Sequence, residues 1–173
     1  ALEDPSLALV VVMAANNETG VIQPIAEIGA MVRSHGSLFL CDAIQAAGKI
    51  PLSMKGMNID ILSLSAHKIG GAAGVGALVV RDGIVLKPLL RGGGQELRRR
   101  AGTENLAGCV GFGLAARLAM QGLSSYSKMS TLRDGLESQL ADSFPEISIF
   151  AESTHRLPNT SCFALPDMRA ETM

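Results

Sequence analysis

Residues 7–15 read Leu-Ala-Leu-Val-Val-Val-Met-Ala-Ala, an apolar run with no polar position in it. A strand with one face in water alternates polar and apolar residues, because successive side chains point to opposite faces. A run without alternation predicts a strand buried on both faces, as the strands of a parallel sheet are. Asn16-Asn17-Glu18-Thr19-Gly20 breaks the run. Over residues 24–34 the apolar Ile25, Ile28, Met31 and Val32 then follow helical spacing, and His35-Gly36 closes that helix.

The pattern repeats. Residues 38–41 form a short apolar run that leads into Asp42, residues 59–65 form another, and residues 76–80 a fourth, closed by Arg81-Asp82-Gly83. Strands alternating with crossovers predict an α/β fold whose sheet is mostly parallel. The short glycine-rich link before Gly76 lets the strand at 75–80 pair antiparallel with its predecessor.

Past the sheet the pattern changes. Thr103-Glu104-Asn105 opens a long helix through Ala116 and Met120. A second helix runs over about 126–144, with Leu132, Leu136 and Leu140 on one face and Pro145 at its end. Strands are expected at 147–150 and 161–164. We therefore divide the chain into residues 1–122, part of a large sheet-based domain, and residues 123–173, a linking helix and the beginning of a smaller α+β domain. Both ends are abrupt, one almost inside a strand and the other, at Met173, on the first turn of a helix, so a piece of a longer polypeptide is expected.

Composition narrows the function classes. The chain is 47% hydrophobic but only 3% aromatic, so its core must be aliphatic, which suits tightly packed α/β layers. Fifteen basic residues balance sixteen acidic ones, leaving no electrostatic footprint for nucleic acid. Arg98-Arg99-Arg100 reads as a solvated loop. The three cysteines, Cys41, Cys109 and Cys162, have no CxxC or zinc-ligand spacing. An odd count with no signal peptide fits the cytoplasm. Cys41 and Cys109 lie in apolar stretches and Cys162 in a strand, so all three are expected as buried small hydrophobes. No apolar run is expected to be long enough to span a membrane.

Polar groups stand after the carboxyl end of each early strand: Asn17 after the first, Asp42 after the second, and Ser65, His67 and Lys68 after the third. Ligands of open α/β sheets bind outside those ends. Lys68, in Ser-Ala-His-Lys-Ile-Gly-Gly, is the key residue. Burial lowers a lysine's pKa, and a neutral amine can form a Schiff base with an aldehyde. A strand-end lysine reaching solvent is the plain alternative, and the heptapeptide alone leaves both open. The neighbours favour chemistry. An ionised aspartate can keep a pyridine nitrogen protonated and a lysine can bind an aldehyde, the two protein groups that pyridoxal phosphate needs. Gln45 could donate to the ring's phenolic oxygen, and Ser65 with an imidazole could hold the phosphate.

Longer strings carry a resemblance: 15–20 (Ala-Asn-Asn-Glu-Thr-Gly) with Ile22-Gln23-Pro24, 41–48 (Cys-Asp-Ala-Ile-Gln-Ala-Ala-Gly), 63–70 (Ser-Leu-Ser-Ala-His-Lys-Ile-Gly), 91–96 with 99–105, and 157–161 (Leu-Pro-Asn-Thr-Ser). With these strings in this order over nearly its whole length, the chain resembles the cysteine desulfurases of the class V aminotransferase group, which are fold-type I pyridoxal phosphate enzymes. The resemblance implies a three-layer large domain with a mostly parallel sheet, followed by a small α+β carboxyl-terminal domain. It implies that Lys68 attaches the cofactor and later moves protons at the substrate α-carbon. Asp42 would pair with the pyridinium nitrogen and Gln45 with the phenolic oxygen. Asn17 would lie near the cofactor and the substrate carboxylate, and Ser65 and His67 would bind the phosphate. In a homodimer Thr103 would reach the partner subunit's phosphate site.

The implied reaction converts L-cysteine to L-alanine and leaves the sulfur as a persulfide on an enzyme cysteine, for delivery to an acceptor protein. Neither a nucleic acid nor a membrane is an implied partner. The chain departs from the family pattern in two ways. Gly70-Gly71-Ala72-Ala73-Gly74 lacks the proline the family places there. The family's amino-terminal phosphate turn and stacking histidine, its nucleophilic cysteine loop and its carboxylate-binding arginine fall outside these residues. A sister aminotransferase or lyase of the same fold, and a catalytically inactive truncated module, are the alternatives.

Overall fold

The computed structural model describes residues 8–170. Leu7 and the helical turn expected at Met173 lie outside the described residues. Four strands, β1 (Leu9–Met13), β2 (Leu38–Asp42), β3 (Ile61–Ser65) and β4 (Gly76–Val80), form one sheet in that order. The first three are parallel and β4 is antiparallel to β3, as the short glycine link predicts. Met13 pairs with Asp42, and Asp42 with Ser63. That register brings the carboxyl ends of three parallel strands into line.

The crossover from β1 to β2 is α1 (Ile25–His35). Pro24 opens it, where the missing N–H costs nothing. Glu27 lies in its first turn and Arg33 and His35 in its last, each complementing the helix dipole. Gly36 ends it in the left-handed conformation, its N–H bonded to the Arg33 and Val32 carbonyls. Ile25 and Val32 of α1 are buried with Phe39 and Cys41 of β2, and with Ala14, Ala43, Ile59, Leu62 and Leu157. Phe39 is fully buried, worth up to about 3 kcal/mol relative to exposure. Asp60 staples this sheet from within. Its Oδ2 accepts the Phe39 N–H at 2.8 Å and its Oδ1 the Arg81 Nε–H at 2.6 Å.

The second half is α2 (Leu106–Tyr126), α3 (Met129–Ser143) and a two-stranded sheet of β5 (Ser148–Ile149) and β6 (Phe163–Ala164). Asn105 caps α2 by accepting the Gly108 N–H at 3.0 Å. Leu157 N donates to Gly20 O at 2.8 Å and Ile22 N to His155 O at 2.9 Å. These bonds dock the 155–160 segment on the loop after β1.

Four expectations need correction. β1 is not buried on both faces: Leu9 and Val11 are 43% and 59% exposed, while Val10 and Val12 pack on the core. The Leu132 and Leu136 stripe of α3 is exposed, and Glu137 is the buried residue there. An apolar pattern says that a face is suited to burial, not what covers it. Cys109 is exposed, although Cys41 is buried as expected and Cys162 is half-buried. Finally, the 21-residue α2 is long and apolar enough to cross a bilayer by length and composition. One of its faces instead packs inward, with Gly108 against Val75 and Ala119 against Gly48.

Candidate active site

The carboxyl ends of β2 and β3 carry most of the candidate residues. Asp42 ends β2 half-buried, and its Oδ1 accepts the Ile44 N–H at 3.0 Å. That bond closes a local turn and fixes the carboxylate. Its Oδ2 accepts no hydrogen bond among the described residues, so one anionic oxygen is available to a protonated ring nitrogen. Ser65 ends β3, and a 3₁₀ turn, Ala66–Ile69, follows at once. Gly70, at φ 86°, closes that turn with its N–H on the Ala66 carbonyl, a conformation that glycine adopts without strain.

Ser65 Oγ and His67 Nδ1 lie 2.9 Å apart on the exposed side of the turn. A hydroxyl and an imidazole so paired form a compact donor set for a phosphate ester. Lys68, next along, is exposed. The burial that the sequence pattern suggests for Lys68 is therefore not found, because the 3₁₀ turn leaves both His67 and Lys68 exposed while Ala66 takes the buried place.

Gln45 is half-buried in the turn after Asp42. Its Oε1 accepts from Lys49 Nζ at 3.2 Å, which leaves its Nε2 hydrogens to donate elsewhere. Lys49 is a residue the sequence reading missed. Burial pushes its amine below the ordinary lysine range, and the charge of Lys68 adds to the effect. The only sequence signal for it is its spacing of four from Gln45.

Asn17 belongs to the turn after β1. Asn16 Oδ1 accepts the Glu18 and Thr19 N–H groups, each at 2.9 Å, and so folds the turn. Asn17 itself is exposed and bonds the Glu18 carboxylate. Gly20 closes the turn at φ 74°. Asp42 and Gln45 thus follow the carboxyl end of β2 and Ser65, His67 and Lys68 that of its neighbour β3, with Asn17 on the loop after β1. Thr103 stands apart. It is exposed ahead of α2, and its carbonyl accepts from Arg100 Nη1 at 3.4 Å. The Arg98-Arg99-Arg100 cluster is exposed, as expected.

The donor set fits pyridoxal phosphate: a free carboxylate oxygen, an amide with free hydrogens, an accessible primary amine and a hydroxyl–imidazole pair, all at one end of one sheet. No group of three or more His, Cys, Asp or Glu side chains suited to a metal ion occurs among the described residues.

Comparison with known proteins agrees with this arrangement. The family model described as aminotransferase class V matches residues 1–173. A cysteine desulfurase of Nostoc sp. is 51% identical over 155 residues, covering 89% of this chain and 39% of that protein. The X-ray structure of a NifS-like protein from Rickettsia africae superposes with a TM-score of 0.92 at 39% identity, over 96% of this chain and 46% of that one. A structure described as SspA in complex with cysteine matches 66% of this chain and 33% of its own, with a TM-score of 0.64 and 44% identity. The chain spans about two fifths of the length of the curated relatives it matches. The likeness extends over the mixed sheet and its helices, and the fold is that of the fold-type I pyridoxal phosphate enzymes. By its sheet, its strand-end chemistry and a match along its whole length, this chain belongs to the aminotransferase class V family.

Proposed function

We propose that this chain is the core of a pyridoxal phosphate-dependent cysteine desulfurase, which converts L-cysteine to L-alanine and passes the sulfur to an enzyme cysteine outside these residues. The single observation that carries the reading is that Asp42 and Gln45 follow β2 while Ser65, His67 and Lys68 follow the paired, parallel β3. The 51% identity to a cysteine desulfurase supports that activity over a sister aminotransferase or lyase. We further propose residues 1–122 as part of the cofactor-binding domain and residues 123–173 as the start of the small domain. The full protein is proposed as a cytoplasmic homodimer, with Thr103 directed to the partner subunit and a sulfur-acceptor protein as the recipient.

The bound cofactor supplies an electron sink that stabilises negative charge at the substrate α-carbon. The protein's residues do the rest. Lys68 would hold the cofactor through its amine, and that amine is the group placed to move a proton at the substrate α-carbon. The free Asp42 oxygen would accept a hydrogen bond from the ring nitrogen's N–H, and a carboxylate there favours the protonated ring. Gln45 would donate to the phenolic oxygen, and Ser65 with His67 would hold the phosphate. The amide of Asn17 supplies donors for a substrate carboxylate. A cysteine thiolate elsewhere in the protein attacks the substrate sulfur. The carbon–sulfur bond breaks and its electrons return towards carbon, where a proton completes alanine; the sulfur remains as a persulfide.

The test uses the full-length protein. Pyridoxal phosphate should bind with a violet absorption band that Lys68→Ala abolishes, and added L-cysteine with a thiol reductant should yield alanine together with released sulfide. Cofactor binding without alanine formation would remove the desulfurase assignment. An unchanged band in Lys68→Ala would remove the site.

A further inference from the structure

Lys49 ends the turn that leads away from Asp42. Its backbone N–H bonds the Ala46 carbonyl at 3.0 Å, and the Ile50 N–H bonds the same oxygen at 3.1 Å. Gly48, at φ 72°, lets this turn press against two neighbours. A Cβ there would stand 2.8 Å from Ala119 Cβ of α2 and 3.4 Å from Ile69 Cγ2. The turn is therefore pinned between α2 and the 3₁₀ turn that carries Lys68. From this position Lys49 Nζ reaches Gln45 Oε1 at 3.2 Å.

A primary amide is nearly symmetric in shape, and its oxygen and nitrogen ends exchange by one rotation. Its two ends do opposite things, one accepting and the other donating. A lysine ammonium can only donate. An amide that faces it must present Oε1 to it and turn Nε2 away. Burial and the like charge of Lys68 both oppose an ammonium at this place. A lysine with no role here would extend to water.

Resting on the pyridoxal phosphate site proposed above, we infer that Lys49 is a positioning residue that locks the Gln45 amide in the orientation that donates to the ring's phenolic oxygen. Lys49 does not touch the ring; it acts through Gln45. Without it the amide samples both orientations, and in one of them an oxygen faces the phenolic oxygen. The cost falls on cofactor affinity and on the ring's absorption.

The experiment is a double-mutant cycle in the full-length protein, with pyridoxal phosphate as the probe. Readouts are the absorption maximum of the bound cofactor and its dissociation constant. Lys49→Met keeps the stem and removes the donor. It should shift the maximum and weaken affinity roughly threefold to tenfold, the worth of one hydrogen bond. Lys49→Arg keeps a donor and should restore both readouts. In a Gln45→Met background, Lys49→Met should change neither further, because its route is gone. Additive effects, or a Lys49→Met protein indistinguishable from wild type, overturn the inference while leaving the site intact. Failure of the wild type to take up the cofactor, or a band that survives Lys68→Ala, overturns the site and the inference together.

Discussion

Replacing Glu137 by leucine should open the 155–157 segment without unfolding the sheet. Arg156 Nη1 and Nη2 meet Glu137 Oε1 and Oε2 at 2.8 and 2.9 Å, and the two side chains are only 2% and 8% exposed. Arg156 also forms an isolated bridge with Val21, and its neighbours His155 and Leu157 bond Ile22 and Gly20. The pair thus ties α3 to the loop that carries Asn17. Removing one partner of a buried pair leaves a buried charge uncompensated, at a cost of about 3–5 kcal/mol. At 1.36 kcal/mol per tenfold, hydrogen-exchange protection at Ile22 and Leu157 should fall by roughly two to four orders of magnitude. Removing both charges, in Glu137→Leu with Arg156→Met, should recover most of that loss. Arg156 Nε is already buried without a partner among the described residues, so the ionic arrangement is not fully satisfied and an apolar one can match it. The assay is hydrogen exchange read by mass spectrometry on the full-length protein, expressed as protection factors. Unchanged protection in the single variant, or a double variant as open as the single, would refute the reasoning. The pH dependence has a defined sign. The Arg156 hydrogen bonds hold the Glu137 carboxyl below its ordinary value, against the opposing effect of burial. Its folded pKa is then below the unfolded value of about 4.3, so the stabilisation is complete above that pH and is lost as pH falls through the folded pKa. Wild-type protection should show this acid arm and the double variant should lack it.

Further outcomes follow from close approaches and burial. Gly29→Ala should destabilise by about 1–3 kcal/mol, read as a lower melting temperature, although alanine favours helices, because its Cβ would land on the Met57 carbonyl oxygen; a rise in melting temperature would sink this. Gly20→Ala should also destabilise, since φ is 74° and the new Cβ would lie 2.7 Å from Thr160 Cβ; an unchanged melting temperature would count against it. Burial first, and then the Asp42 charge, push the Cys41 thiol up to about 11. At pH 8 only about one Cys41 thiol in a thousand is then ionised. Iodoacetamide should leave Cys41 unlabelled in the native protein, and labelling before unfolding would contradict that.

Local pattern determined much of this protein. The span of α1 and its end at Gly36, the strand sequence and the antiparallel turn-back of β4 all follow from hydrophobic period and turn chemistry, which neighbouring residues set among themselves. The same reading put Asp42, Ser65, His67 and Lys68 at or just past strand ends, where the structure has them, because polar residues that end apolar runs fall there. Tertiary structure decided what no local pattern encodes. Glu137 and Arg156 are 19 residues apart in the chain, and only the docking of the 155–160 segment makes them partners. Leu132 and Leu9 have core-like patterns and lie exposed, since burial depends on what packs opposite. Burial likewise falls on Lys49 instead of Lys68. A strand end fixes where a side chain starts, whereas the elements packed around it fix whether that side chain stays in water.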